Sequence, residues 1–188
     1  MDSQTLMVVG IAVAILILIT AVWMYSVRQR RERLRERFGP EYDRTVRAVG
    51  RPDKAESILK KRADRVDRFE LRPLSSAQAD EFDREWRRVQ ATFVDDPVGA
   101  AASADALVAR VMVARGYPPE DFDRRAEDVS VDHPHVVENY RIARELMQRR
   151  ERGEAGTEEL RRAIVNYRAL FADLLEVEPE ESERRRAS

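Results

Sequence analysis

Twenty consecutive residues without a charge, Leu6–Tyr25 (LMVVGIAVAILILITAVWMY), constrain this chain more than any other feature. A helix rises about 1.5 Å per residue, so the run reaches across the roughly 30 Å hydrocarbon layer of a bilayer. Thr20 is its one clearly polar side chain, and its hydroxyl can bond back to the preceding turn. Trp23 and Tyr25 fall at one end, where amphipathic rings favour the headgroup region. A cleaved signal peptide would need a basic start, a shorter apolar stretch and a small-residue cleavage site. Here MDSQT has no Lys or Arg, and the run ends in Trp-Met-Tyr. The pattern predicts one transmembrane helix over residues 6–27, with residues 1–5 as a short extracytoplasmic N-terminus.

Flanking charge predicts the orientation. The C-terminal flank carries Arg28, Arg30, Arg31, Arg33, Arg35 and Arg37 against Glu32 and Glu36, whereas the N-terminal flank carries only Asp2. Basic flanks stay in the cytoplasm, which places the N-terminus outside and the C-terminal domain inside a cell membrane crossed once. The 4-3-4 spacing of Val27, Arg31, Leu34 and Phe38, with no breaker before Gly39-Pro40, predicts that the helix continues through a basic juxtamembrane segment, 28–38. Trp23, Tyr25 and the six arginines are the expected membrane interface. The arginines would hold anionic lipid headgroups at about 1 kcal/mol each. Gly10 and Ala14 form a small-x-x-x-small pair, which leaves room for a homo-oligomer.

The net charge of −1 hides an asymmetry. Residues 28–62 hold 13 basic and 6 acidic side chains, a net of +7; residues 63–183 hold 18 and 28, a net of −10. The segment next to the membrane is therefore basic and the distal body acidic. Lysine occurs only at 54, 60 and 61, so positive charge is nearly all arginine. With 37% of the chain charged and 7% aromatic, a charge-covered helical surface over a modest core is expected. There is no cysteine, which removes disulfides, thiolate metal sites and cysteine nucleophiles together.

Prolines and glycines punctuate the rest into helices. Gly39-Pro40 opens a short one to about Val49, and Asp53 starts another to about Phe69. Ser75 with Gln78 has the form of a capping box before Ala79, Phe82, Trp86, Val89 and Phe93. Asp95-Asp96-Pro97 starts a small-residue helix that ends before Gly116. A short helix, about Pro119 to Asp128, precedes Ser130-Val-Asp-His-Pro134, read as a second helix start of the Asp-then-Pro kind. That helix runs to about Arg152, and Thr157 caps a last one bearing Leu160, Ile164, Tyr167, Leu170, Phe171 and Leu174. No segment alternates as a strand would. The expected fold class is all-α: the anchor, then a compact bundle of about four long and two short helices over 39–178, then a disordered charged tail, 179–188.

Candidate chemistry is sparse. His133 and His135 beside Asp132 are the one place a metal could be imagined, but a zinc or iron site needs three or four ligands and no spacing selects the rest. The carboxylate pairs Asp95/Asp96, Glu120/Asp121 and Glu158/Glu159 stand at helix starts, where acidic side chains suit the dipole. No Gly-rich phosphate loop, nucleophile elbow or metalloprotease pattern occurs. No catalytic, cofactor-binding or metal-ligating residue is assigned. The net acidic body argues against nucleic acid. These features favour a non-enzymatic adaptor with an unidentified protein partner; an unrecognised envelope- or lipid-related enzyme, or a membrane-tethered nucleic-acid-binding protein, are the alternatives.

Phe38-Gly-Pro-Glu-Tyr-Asp-Arg44, Phe93-Val-Asp-Asp-Pro97, Arg115-Gly-Tyr-Pro118 and Ser130-Val-Asp-His-Pro134 recur in a recognisable order. With Arg72-Pro-Leu74, Trp86 and Tyr167-Arg-Ala-Leu-Phe171, the chain resembles a bacterial family of small proteins with one N-terminal hydrophobic segment. The resemblance implies an anchored helical domain. It brings no established activity and transfers no functional residues.

Overall fold

The computed structural model describes residues 3–154 and 156–175, with side chains at Ile11 and from Ile15 onward. The expected tail 179–188, Asp2 and the Gly10/Ala14 pair lie outside the described backbone or side chains. Eight helices occupy the described residues, without strands: α1 (Ser3–Phe38), α2 (Pro40–Val49), α3 (Pro52–Val66), α4 (Ser76–Thr92), α5 (Pro97–Ala114), α6 (Phe122–Asp132), α7 (Val137–Glu151) and α8 (Thr157–Leu174). The all-α expectation holds. The long helices of the sequence reading correspond to α4, α5, α7 and α8 and the short ones to α2 and α6; the helix expected from Asp53 to about Phe69 is α3, which ends at Val66, so the count of four long and two short was one helix too few. Backbone contacts divide the chain into two units, Met1–Leu59 and Lys60–Ser188.

In the first unit, α1 is a single helix of 36 residues, about 54 Å long. It ends at buried Phe38 because Gly39 turns the chain at φ 45° and ψ −126°, a conformation that side-chain-bearing residues avoid. Pro40 then occupies the first position of α2, where its missing N–H costs nothing. Tyr42 and Ala55 are buried, and Leu59 closes the unit.

The second unit is built on α4, α5, α8 and α7, packed in that lateral order, with α6 against α7. Its centre holds Leu107, Val111, Tyr140, Leu160, Tyr167 and Leu170, all at most 2% exposed. Trp86 of α4 stacks on Phe171 of α8, ring centroids 4.7 Å apart. Such ring pairs add about 0.5–1.5 kcal/mol beyond the area they bury. Within this core sits the one helix that, among the described residues, is long and apolar enough to cross a membrane: α5, with mean hydropathy 1.4. Its buried residues include Ala104, Leu107, Val108, Val111 and Met112, and it packs on α4 and α8, so its apolarity serves the core. The run Leu6–Tyr25 lies partly outside the described side chains.

Helix starts follow local chemistry in two places read from sequence. Ser75 and Gln78 cap α4 reciprocally, at 3.3 and 3.1 Å, and the Asp96 carboxylate accepts the Gly99 N–H at 2.9 Å to start α5. Two other readings are corrected. Asp132 is the last residue of α6, not the cap of α7; Pro134 drives His133 out of the helical region, to φ −123° and ψ 51°, and so ends α6. Helix α7 starts three residues later, and its N-cap, Val136, makes no side-chain bond. Thr157 is not the cap of α8 either: Gly156 takes that position, and Glu159 reaches back to accept its N–H at 3.0 Å.

Gly116, past the end of α5, has φ 98°, and a Cβ there would lie 2.4 Å from the Glu70 carbonyl oxygen. The segment before Leu74 runs against this turn, as the Arg72 N–H to Arg115 carbonyl bond of 3.0 Å records. Both the φ and the neighbouring backbone oppose a side chain. Gly116→Ala is therefore expected to lower stability by about 1–3 kcal/mol, read as a shift of the urea midpoint in detergent. An unchanged midpoint would contradict this geometry.

Candidate functional site

Two places gather chemistry, one in each unit. The first is the exit of α1 from its apolar run. Every residue from Ile15 to Tyr25 is exposed, and eleven consecutive helical residues cover every side of the cylinder. A helix apolar all round suits a buried core or a lipid environment. The two hydroxyls here are satisfied within the helix: Thr20 donates to the Leu16 carbonyl and Ser26 to the Val22 carbonyl, each at 2.8 Å. Trp23 and Tyr25 are 66% and 67% exposed.

The six arginines do not behave alike. Arg28, Arg30 and Arg33 are exposed. Arg31 donates from Nε to Glu56 at 2.7 Å, and the Tyr42 hydroxyl donates to the same carboxylate oxygen at 2.8 Å. Arg35 lies over the Tyr42 ring, 5.0 Å from its centroid. Arg37 is half-buried and has contacts of its own. The hydrogen bond and charge of Glu56 hold the Arg31 guanidinium more basic than usual. Burial, then the bond to Glu56, push the Tyr42 phenol up. The structure thus joins Arg31, Arg35, Tyr42 and Glu56 into one elbow across α1, α2 and α3. Sequence reading missed Glu56, one of six acidic residues in the net basic stretch 28–62, with nothing local to mark it.

The second place is a polar cleft of about 460 Å³ lined by Leu71, Arg115, Tyr117, Asp132, His133, His135 and Asp173. The C-terminal ends of α5, α6 and α8 contribute to it, and helix C-termini carry partial negative charge. The Arg115 guanidinium answers that charge. Buried Arg115 donates from Nη1 to the Leu174 carbonyl at 3.0 Å, satisfying one orphan acceptor of α8. Buried His133 sits at the end of α6, with Nδ1 2.5 Å from the exposed Asp173 carboxylate. The Tyr117 hydroxyl is 3.5 Å from Asp132; burial, then the charge of Asp132, push that phenol well up, so it keeps its proton.

A carboxylate on one imidazole nitrogen orients the ring, which is the arrangement that equips a histidine for proton transfer. The lining contains no Ser, Thr, Cys or Lys to serve as a nucleophile beside it. Among the described residues no three His, Asp or Glu side chains converge as a metal would require. Asp132 and His133, singled out in the sequence, do meet here; Asp95/Asp96, Glu120/Asp121 and Glu158/Glu159 line no part of it. Tyr117 and Asp173 were not foreseen, since nothing local marks residues 15 and 40 positions from their partners. No protein-family model, no curated protein and no solved structure matches the chain.

Proposed function

We propose that the chain is a single-pass membrane-anchored helical adaptor. Helix α1 crosses the bilayer with its N-terminus outside, the arginines beyond Tyr25 lie among anionic headgroups, and the second unit meets a protein partner in the cytosol. One observation carries the reading: an unbroken helix of 36 residues that is exposed and, Thr20 apart, apolar on every side from Ile15 to Tyr25. Its length of about 54 Å exceeds the roughly 30 Å hydrocarbon layer, so about 24 Å projects beyond it. The resemblance to small bacterial proteins with one N-terminal hydrophobic segment points the same way. The net charge of −10 over residues 63–183 supports a basic partner surface. In-cell crosslinking with mass spectrometry is expected to return one recurrent protein joined to the second unit. Recovery of the chain without a recurrent neighbour contradicts the adaptor role.

A second reading, an enzyme acting through the polar cleft, rests on the His133–Asp173 pair. It predicts that small carboxylates, amines or phosphates move the imidazole NMR signals of His133 and His135. A library that moves neither removes it.

A further inference from the structure

Resting on the anchoring reading, we infer that five of the six juxtamembrane arginines divide into two sets with different partners: Arg28, Arg30 and Arg33 bind the phosphates of anionic phospholipids, whereas Arg31 and Arg35 hold the protein elbow. Distance along α1 brings the first group within reach of the headgroups, and Arg31, at about 9 Å, is separated from it only by its bond to Glu56. Arg28, Arg30 and Arg33 rise about 4.5, 7.5 and 12 Å past Tyr25. The headgroup layer on each side of a bilayer is roughly 5–7.5 Å thick, and long guanidinium arms bend back towards it. All three are exposed. Arg30 and Arg33 also stand three residues apart on one face, an arrangement of like charges that weakens a helix unless an anion neutralises it.

The second set is committed elsewhere. Contact between the Arg31 fork and a phosphate would compete with the 2.7 Å bond to Glu56, and that same carboxylate holds the Tyr42 hydroxyl at 2.8 Å. Arg35 would have to leave the Tyr42 ring, over which it lies at 5.0 Å. Lipid selection and the α1–α2–α3 elbow are therefore carried by different residues of one arginine run.

The full chain in nanodiscs of phosphatidylcholine and phosphatidylglycerol tests this, with co-retained lipid counted by native mass spectrometry. Wild type is expected to retain phosphatidylglycerol preferentially. R28Q/R30Q/R33Q is expected to lose that preference by about fivefold per arginine removed. R31Q/R35Q is expected to keep it, and so is Glu56→Gln, which loosens the elbow while leaving every arginine in place. An equal loss in R31Q/R35Q and in the triple variant, or a triple variant that selects as wild type does, overturns the division. A wild-type chain that enters no nanodisc removes the anchoring reading itself, and this inference with it.

Discussion

Leu16→Arg together with Ile17→Arg is expected to release the protein from carbonate-washed membranes almost completely, whereas either change alone leaves a mixed population. The argument is one of magnitudes. Residues 6–25 contain eleven Leu, Ile and Val residues, each favouring insertion by about 0.3–0.6 kcal/mol, a total of roughly 3–7 kcal/mol. One arginine at the helix centre costs about 2.5–3.5 kcal/mol and removes one favourable residue as well, which brings the balance near zero. Two arginines exceed it. The positions lie midway along the run, out of easy reach of either interface, so snorkelling cannot recover the full cost. Membrane pelleting before and after carbonate is the measurement; a double variant that still resists extraction would mean the run is not what holds the protein.

Asp128→Ala carries the second large effect, this time on folding of the second unit. Asp128 is 1% exposed and takes a strong ion pair from Arg65, whose Nε donates to it at 2.8 Å. Arg65 also reaches Glu127 at 3.3 Å, and buried Arg62 donates to the Ser130 hydroxyl at 2.9 Å while lying 3.5 Å from Glu127. Burial pushes the Asp128 carboxyl up and Arg65 pulls it back, while burial of Glu127 is more than offset by Arg62, Arg124 and Arg65, which hold it low. Removing the Asp128 carboxylate leaves part-buried Arg65 with only its longer contact to Glu127, at a cost of about 1–3 kcal/mol. Urea unfolding of the full chain in detergent, followed by far-ultraviolet circular dichroism, reads that loss. Arg65→Met with Asp128→Leu is expected to recover most of it, because the pair is then replaced by apolar contact instead of being broken. A single variant as stable as wild type would show the pair to be solvated.

The helices themselves were legible because their signals are local. Ser75 with Gln78, and Asp96 with Pro97, satisfy helix-start N–H groups within three or four residues, and the apolar stripe of α8 repeats at the helical period. The same logic failed at Asp132-His133-Pro134. Asp-then-Pro reads equally well as a start or as a stop, and only the preceding turn decides: here α6 runs on to Asp132, and His133 donates its N–H to the Val129 carbonyl at 2.8 Å. The elbow at Glu56 and the Arg65–Asp128 pair were illegible for another reason. Their partners lie 25 and 63 residues apart, in a chain with charges at more than a third of its positions, so sequence alone offers many equivalent pairings. The polar cleft shared that fate. His133 was visible as a rare residue, but Asp173 is one carboxylate among many until α8 folds back to bring it within 2.5 Å.

The absence of cysteine makes the decisive measurement a clean one. Single cysteines introduced as Ser3→Cys and Ser57→Cys report the two sides of α1, the second from an exposed position in α3. With a membrane-impermeant maleimide, Ser3→Cys is expected to label in intact cells and Ser57→Cys only after permeabilisation. Labelling of Ser57→Cys from outside, or protection of both positions, would contradict a helix that crosses the bilayer and keeps its arginine flank in the cytoplasm.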